Sequence, residues 1–142
     1  MPLNFFAPKP GRFGTLPVPL QSGRLNTGTL AAGTVTHNIG SFPAKAYINR
    51  ALVCAETFPV ATTCTVALVK MTGATAVTLT DAISINSGTA NTPIAFTFLS
   101  TLTEANRTLT SADSIRISMV TAGSVTTQPD DVTVTVELLV EE

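Results

Sequence analysis

His37 is the only histidine in this 142-residue chain, so any chemistry that runs on imidazole must run on it. It stands in the run GTVTHNIG between Thr36 and Asn38. A catalytic triad would also need an activated serine and an orienting carboxylate, and no G-x-S-x-G elbow occurs. The surroundings favour a strand histidine, at an interface or satisfied by its neighbours. Paired carboxylates could act on a glycoside. Asp130-Asp131 is the only adjacent Asp pair, but it follows Pro129 and precedes a strand pattern, a place where Asp forms turns. The other acids, Glu56, Asp81, Glu104, Asp113, Glu137, Glu141 and Glu142, are scattered. No D-x-D-x-D-G calcium loop is present, and Gly11 and Gly14 lie among prolines rather than between a strand and a helix, so no phosphate cradle is expected.

Cys54 and Cys64 are ten residues apart, and one histidine cannot complete a zinc site with them. Both read as small apolar strand residues carrying buried free thiols. A disulfide between adjacent strands is the lesser reading. Asn106-Arg107-Thr108 matches the glycosylation tripeptide, but the opening MPLNFFAPKPGRFG has no apolar core of a secretory signal. Synthesis in the cytoplasm is therefore the expectation. Trp is absent and Tyr47 is the only Tyr, which weakens an aromatic sugar platform. The expectation is a protein that is not an enzyme and takes no cofactor or metal.

The elements that would position these residues are strands. Thr (25), Ala (17) and Val (13) dominate, while charged residues make up 12% of the chain, about half the usual share. A net charge of −1 argues against nucleic-acid binding, and no apolar stretch approaches the ~18–20 residues of a membrane span. Alternation with period two predicts eight strands, near 34–39, 44–55, 62–71, 75–80, 83–86, 93–99, 114–121 and 131–140. In the last, Val132, Val134, Val136, Leu138 and Val140 face one way, with Thr133, Thr135, Glu137 and Glu141 on the other. Both faces of 44–55 are apolar, which suits a strand covered on both sides. The stretch 100–113 has no strong period, and a helical turn is expected at Leu102–Asn106. Eight short strands imply an all-β, jelly-roll-like antiparallel sandwich, ahead of an immunoglobulin-like one.

Residues 1–27 read as an extended N-terminal arm, and 28–142 as the sandwich domain. The arm holds Pro2, Pro8, Pro10, Pro17 and Pro19, five of the nine prolines, so it cannot be a central strand. Fully extended it would reach roughly 90 Å. It also carries apolar anchors, among them Phe5, Phe6, Phe13 and Leu16, which need a surface to cover. That surface is either the chain's own body or, the favoured reading, another subunit. Residues 1–55 hold five bases and no acid (+5), whereas 56–142 hold three bases and nine acids (−6). Such polarity favours head-to-tail contact or contact between the arm and a partner. A low-charge hydroxyl surface costs little to desolvate, as a structural or assembly protein requires.

The proline-rich arm, the Thr/Ala/Val-rich body and the closing runs TLTSADSIRISMVTAG and DDVTVTVELLVEE resemble the jelly-roll cement (decoration) proteins of tailed bacteriophage heads. The Bordetella short-tailed phage type is nearest. The resemblance implies a virion protein on the outer capsid surface that contacts the major capsid protein and bridges and stabilises neighbouring capsomers. It implies a homo-oligomer, with a dimer favoured over a trimer. Phe5, Phe6, Arg12, Phe13, Leu16 and Arg24 of the arm would then bind the capsid protein or a neighbouring copy. The alternative is a receptor-binding or tail-tip module, attached through its arm and reading a glycan with its loops.

Overall fold

The computed structural model describes residues 13–22, 25 and 29–141, with side chains described from residue 18 onward. Among the described residues there are ten strands and one helical turn. They are β1 (Phe13–Gln21), β2 (Gly33–Ser41), β3 (Ala46–Cys54), β4 (Thr63–Thr72), β5 (Thr75–Thr78), β6 (Ile83–Ser84), β7 (Ile94–Ala95), α1 (Glu104–Arg107), β8 (Thr108–Leu109), β9 (Asp113–Ala122) and β10 (Thr133–Glu141). The eight strands expected from alternation are all present. The two additions are β1 and the two-residue β8.

The strands form two antiparallel sheets. The first runs β1-β10-β3, with β7 and β8 both paired to β3; the second runs β2-β9-β4, with β5 and β6 both paired to β4. Two short strands in series thus fill the fourth position of each sheet. The chain crosses between sheets at β1–β2, β2–β3, β3–β4, β6–β7, β8–β9 and β9–β10. Four positions per sheet joined in this order make a jelly roll. The β4–β5 hairpin closes on Thr72↔Thr75 through Gly73 and Ala74. Gly73, the first central residue, has φ 58°, which a residue without Cβ adopts at no steric cost.

The inward halves of the alternations meet in one core. Ile48, Val53, Val66, Leu68, Ile115, Ile117, Met119, Val134, Val136 and Leu138 are fully buried, each contributing about 1.5–3 kcal/mol. Thr80 is buried among them, and its hydroxyl accepts the Leu68 backbone N–H at 2.9 Å. The helical turn lies at 104–107, slightly later than expected. Thr103 and Asn106 cap it reciprocally: the Asn106 Oδ1 accepts from the Thr103 N–H and hydroxyl, and the Thr103 Oγ1 accepts from the Asn106 N–H.

The expected division of the chain at residue 28 is corrected by β1. Residues 13–21 of the stretch read as an arm are the edge strand of the first sheet, paired antiparallel with β10 at Phe13↔Glu141 and, after a register shift, continuously from Pro17↔Leu139 to Gln21↔Thr135. Beyond it, the Ser22 N–H donates to Val134 O (3.0 Å) and the Leu25 N–H to Val132 O (2.8 Å). The prolines permit this because β1 has only one neighbour. Since Ser22 donates toward β10, strand parity turns the even-numbered amides inward along the ladder. Pro17 and Pro19 then occupy positions whose nitrogens face away from β10, where no donor is required.

Candidate interaction surface

The jelly roll turns one outer face to each side, and the two faces differ in charge. On the first sheet, β3 and β10 place Arg50 opposite Glu137, with Nη2 2.6 Å from Oε1, and Lys45 Nζ lies 3.0 Å from Glu141 Oε1. These pairs are exposed, so each contributes little to stability, but they join four of the charges of that face to one another. Arg107 is held there as well. Its guanidinium carbon lies 3.9 Å from the centre of the Phe98 ring and 4.8 Å from that of Tyr47. Its Nε and Nη2 donate to Ile48 O (3.0 and 2.7 Å), and Nη2 also donates to Asn49 O (2.8 Å). The ladder shifts register here, where Glu137↔Arg50 gives way to Leu138↔Ile48 and leaves Asn49 as the extra residue of a bulge. Arg107 thus binds the carbonyls that the bulge exposes. The expected cover over both faces of β3 takes this form at Tyr47, whereas Leu52 and Cys54 stay half-buried.

The outer face of the second sheet is nearly free of charge. Burial of Ile115, Ile117 and Met119 turns Ser114, Arg116, Ser118 and Val120 outward on β9. Register aligns Thr34, Thr36 and Asn38 of β2 beside Val120, Ser118 and Arg116. On the other side lie Thr65, Ala67, Val69 and Met71 of β4, followed by Ala76 and Thr78 of β5. Val120 is 45% exposed. Arg116 is the one charge on this face among the described residues. Its Nε is shielded from solvent and has no hydrogen-bond partner, and no described carboxylate pairs with it. An unmade buried donor costs on the order of 1–3 kcal/mol. A shallow groove of about 390 Å³ runs past it, lined mainly by Thr36, Ala67, Val69, Met71, Ala76 and Thr78.

At one end of the sandwich, α1 borders two clefts that share Glu104. One, of about 590 Å³, is lined by Lys45, Lys70, Thr72, Ala105, Thr108, Thr110 and Asp113; the other, of about 350 Å³, by Tyr47, Leu99, Leu102, Thr103, Arg107 and Leu139. Lys70 Nζ donates to Ala105 O (3.1 Å) and Thr108 O (3.0 Å). Burial pushes the Asp113 carboxyl up. Hydrogen bonds from the Thr72 hydroxyl and from the Thr110 N–H and hydroxyl, with Lys70 nearby, outweigh this and hold it below its usual 3.8.

The residues singled out from sequence fall as follows. Phe5, Phe6, Arg12 and Arg24 lie outside the described residues. Phe13 and Leu16 belong to β1, whose backbone is committed to the chain's own β10. His37 sits opposite Ile117 on β2. Its Nε2 is shielded and unpartnered, so of the two expectations, an interfacial or a satisfied strand histidine, the satisfied one does not hold at that atom, and desolvation lowers its pKa below 6.5. Both cysteines are free; Cys64 is buried, whereas Cys54, on the outward side of β3, is half-exposed rather than buried. Asp130 pairs through its backbone with Thr57, and Asp131 takes φ 49°, consistent with turn formers. Asn106, Arg107 and Thr108 are occupied in capping α1 and bracing the bulge.

Among the described residues, no three His, Cys, Asp or Glu side chains gather as a metal site, and no helix is long and apolar enough to cross a membrane. Sequence reasoning missed the second sheet's outer face as a candidate surface. Its signal was present in the outward halves of 63–72 and 114–122, which read Thr, Ala, Val, Met and Ser around a single Arg. No family model matches the chain, and neither a curated protein nor a solved structure matches it.

Proposed function

We propose that the chain is a structural virion protein, a cement or decoration protein that binds the outside of a tailed-phage head and bridges neighbouring capsomers without catalysing a reaction. The observation that carries this reading is the outer face of the second sheet, four strand positions wide and bearing one charge among the described residues. Covering such a face with protein removes few charges from water, and its short Thr, Ser and Ala side chains lose little rotamer entropy. The Pro- and Phe-rich segment before β1 adds a second means of attachment, and repeated copies on a shell turn weak contacts into avidity. The test is stoichiometry on purified particles of the phage that encodes the chain. Hundreds of copies per head are expected. A dozen or fewer would overturn the reading.

The alternative, a receptor-binding or tail-tip module, is favoured by the two clefts beside α1, where Glu104 borders both a lysine-bearing recess and the Tyr47–Arg107 stack. Low copy number together with reproducible glycan binding that is lost in Glu104→Gln would select it.

A further inference from the structure

We infer that the groove around Arg116 is a carboxylate-recognition site, and that its occupant is a protein segment presenting one acidic side chain among small apolar residues. This names the chemistry of the partner in the reading above and rests on that reading for what the partner is. Arg116 is the one charge on the outer face of the second sheet among the described residues, while on the opposite face Arg50 and Lys45 pair with Glu137 and Glu141, and Arg107 is held by the Phe98 and Tyr47 rings and the Ile48 and Asn49 carbonyls. A carboxylate of the chain's own does not reach it among those residues.

Its Nε–H is both shielded and unpartnered, so part of the guanidinium is already withdrawn from water before any partner arrives, and a carboxylate would meet the group through its Nη donors. The walls are Thr36, Ala67, Val69, Met71, Ala76 and Thr78, which offer methyl groups and hydroxyls but no competing charge. In such low-polarity surroundings a charge-assisted N–H···O bond is stronger than it would be in water, and a planar guanidinium can grip a carboxylate with two donors. A second copy applied face to face would bring like charges together, so it is the poorer occupant. A basic segment fails for the same reason.

The site is tested on the full-length ¹⁵N-labelled chain by NMR. The probes are a capped pentapeptide of alanine and valine with one central glutamate and the same peptide with glutamine in its place. The glutamate peptide is expected to shift the Arg116 Nε–Hε signal and the amides of β4 and β9, and to bind about tenfold more tightly than the glutamine peptide. Arg116→Gln should abolish that preference while leaving the amide spectrum away from the groove unchanged; Arg116→Lys should retain part of it. Equal shifts from both peptides, no shift from either at tens of millimolar, or shifts centred on Lys70 or Arg107 would overturn the inference. No phage particle enters this experiment. A chain that prefers the glutamate peptide yet occurs at few copies per particle would keep the groove and lose the cement reading.

Discussion

His37 and Asp113 both carry shifted proton affinities, and the causes separate them in pH. The Asp113 carboxyl is held below 3.8 by three donated hydrogen bonds that outweigh its burial, so the stability it contributes is present at neutral pH and lost only in strong acid. His37 is the reverse case in charge. Desolvation lowers its pKa below the 6.5 of an unhindered imidazole, because the folded chain shields Nε2 and offers it no acceptor. The unfolded chain therefore binds more protons than the folded one between the two values. Stability is whole above 6.5 and falls as the pH drops through the folded value. Since His37 is the only histidine and the Cys64 thiol is pushed upward by burial, this side-chain slope belongs to His37. Thermal melts across roughly pH 8 to 5 should show the wild type losing stability on acidification, and His37→Thr, a strand former like its neighbours, should flatten the curve. An unchanged slope in that variant would show that the shielding of Nε2 has no thermodynamic effect.

The edge strand β1 shows why prolines misled the reading of its segment without making that reading wrong about chemistry. Pro17 and Pro19 exclude a central strand, and β1 is not central: its ladder is only with β10. Their nitrogens face outward, where a row of free amides would otherwise invite another strand. Replacing both with Val should leave the fold intact and open that edge, so concentration-dependent self-association is expected by light scattering. A variant that stays at the wild-type size at all concentrations would show that the prolines do not guard the edge. Elsewhere the strands were legible because they alternate. The apolar-polar rhythm of 63–72, 113–122 and 133–141 identifies both the strand and its inward face. It failed at β8, where two residues are too few to show a period, and at β1, where the prolines mask the pattern. The isolation of Arg116 was illegible for a different reason. Alternation tells that it faces out, but only cross-strand register tells that Asn38 and Val69 flank it and that no acid does.

At the scale of the whole molecule, a jelly roll closes only if each sheet has all four of its positions filled, and β1 fills one of the first sheet's. Leu20 and Leu25 pack against the core from this segment, and the β1–β10 ladder continues through Ser22 and Leu25 to Val134 and Val132. Two truncations therefore separate structure from attachment. Removing residues 1–12 takes away Phe5, Phe6 and Arg12 but leaves every described strand in place. This variant should unfold at the wild-type temperature and, on the proposed reading, bind stripped phage heads more weakly. Removing residues 1–25 also strips β1 and leaves β10 with an unpaired edge. Each partly buried leucine lost forfeits up to about 1.5–3 kcal/mol, a large share of a net stability of about 5–15 kcal/mol. That longer truncation should melt many degrees lower or aggregate, so its failure to bind would carry no information about the attachment. The decisive comparison is the shorter one. If the chain lacking residues 1–12 melts normally and still decorates heads as tightly as the full chain, attachment resides in the sandwich faces alone, and the Phe-rich segment has no part in it.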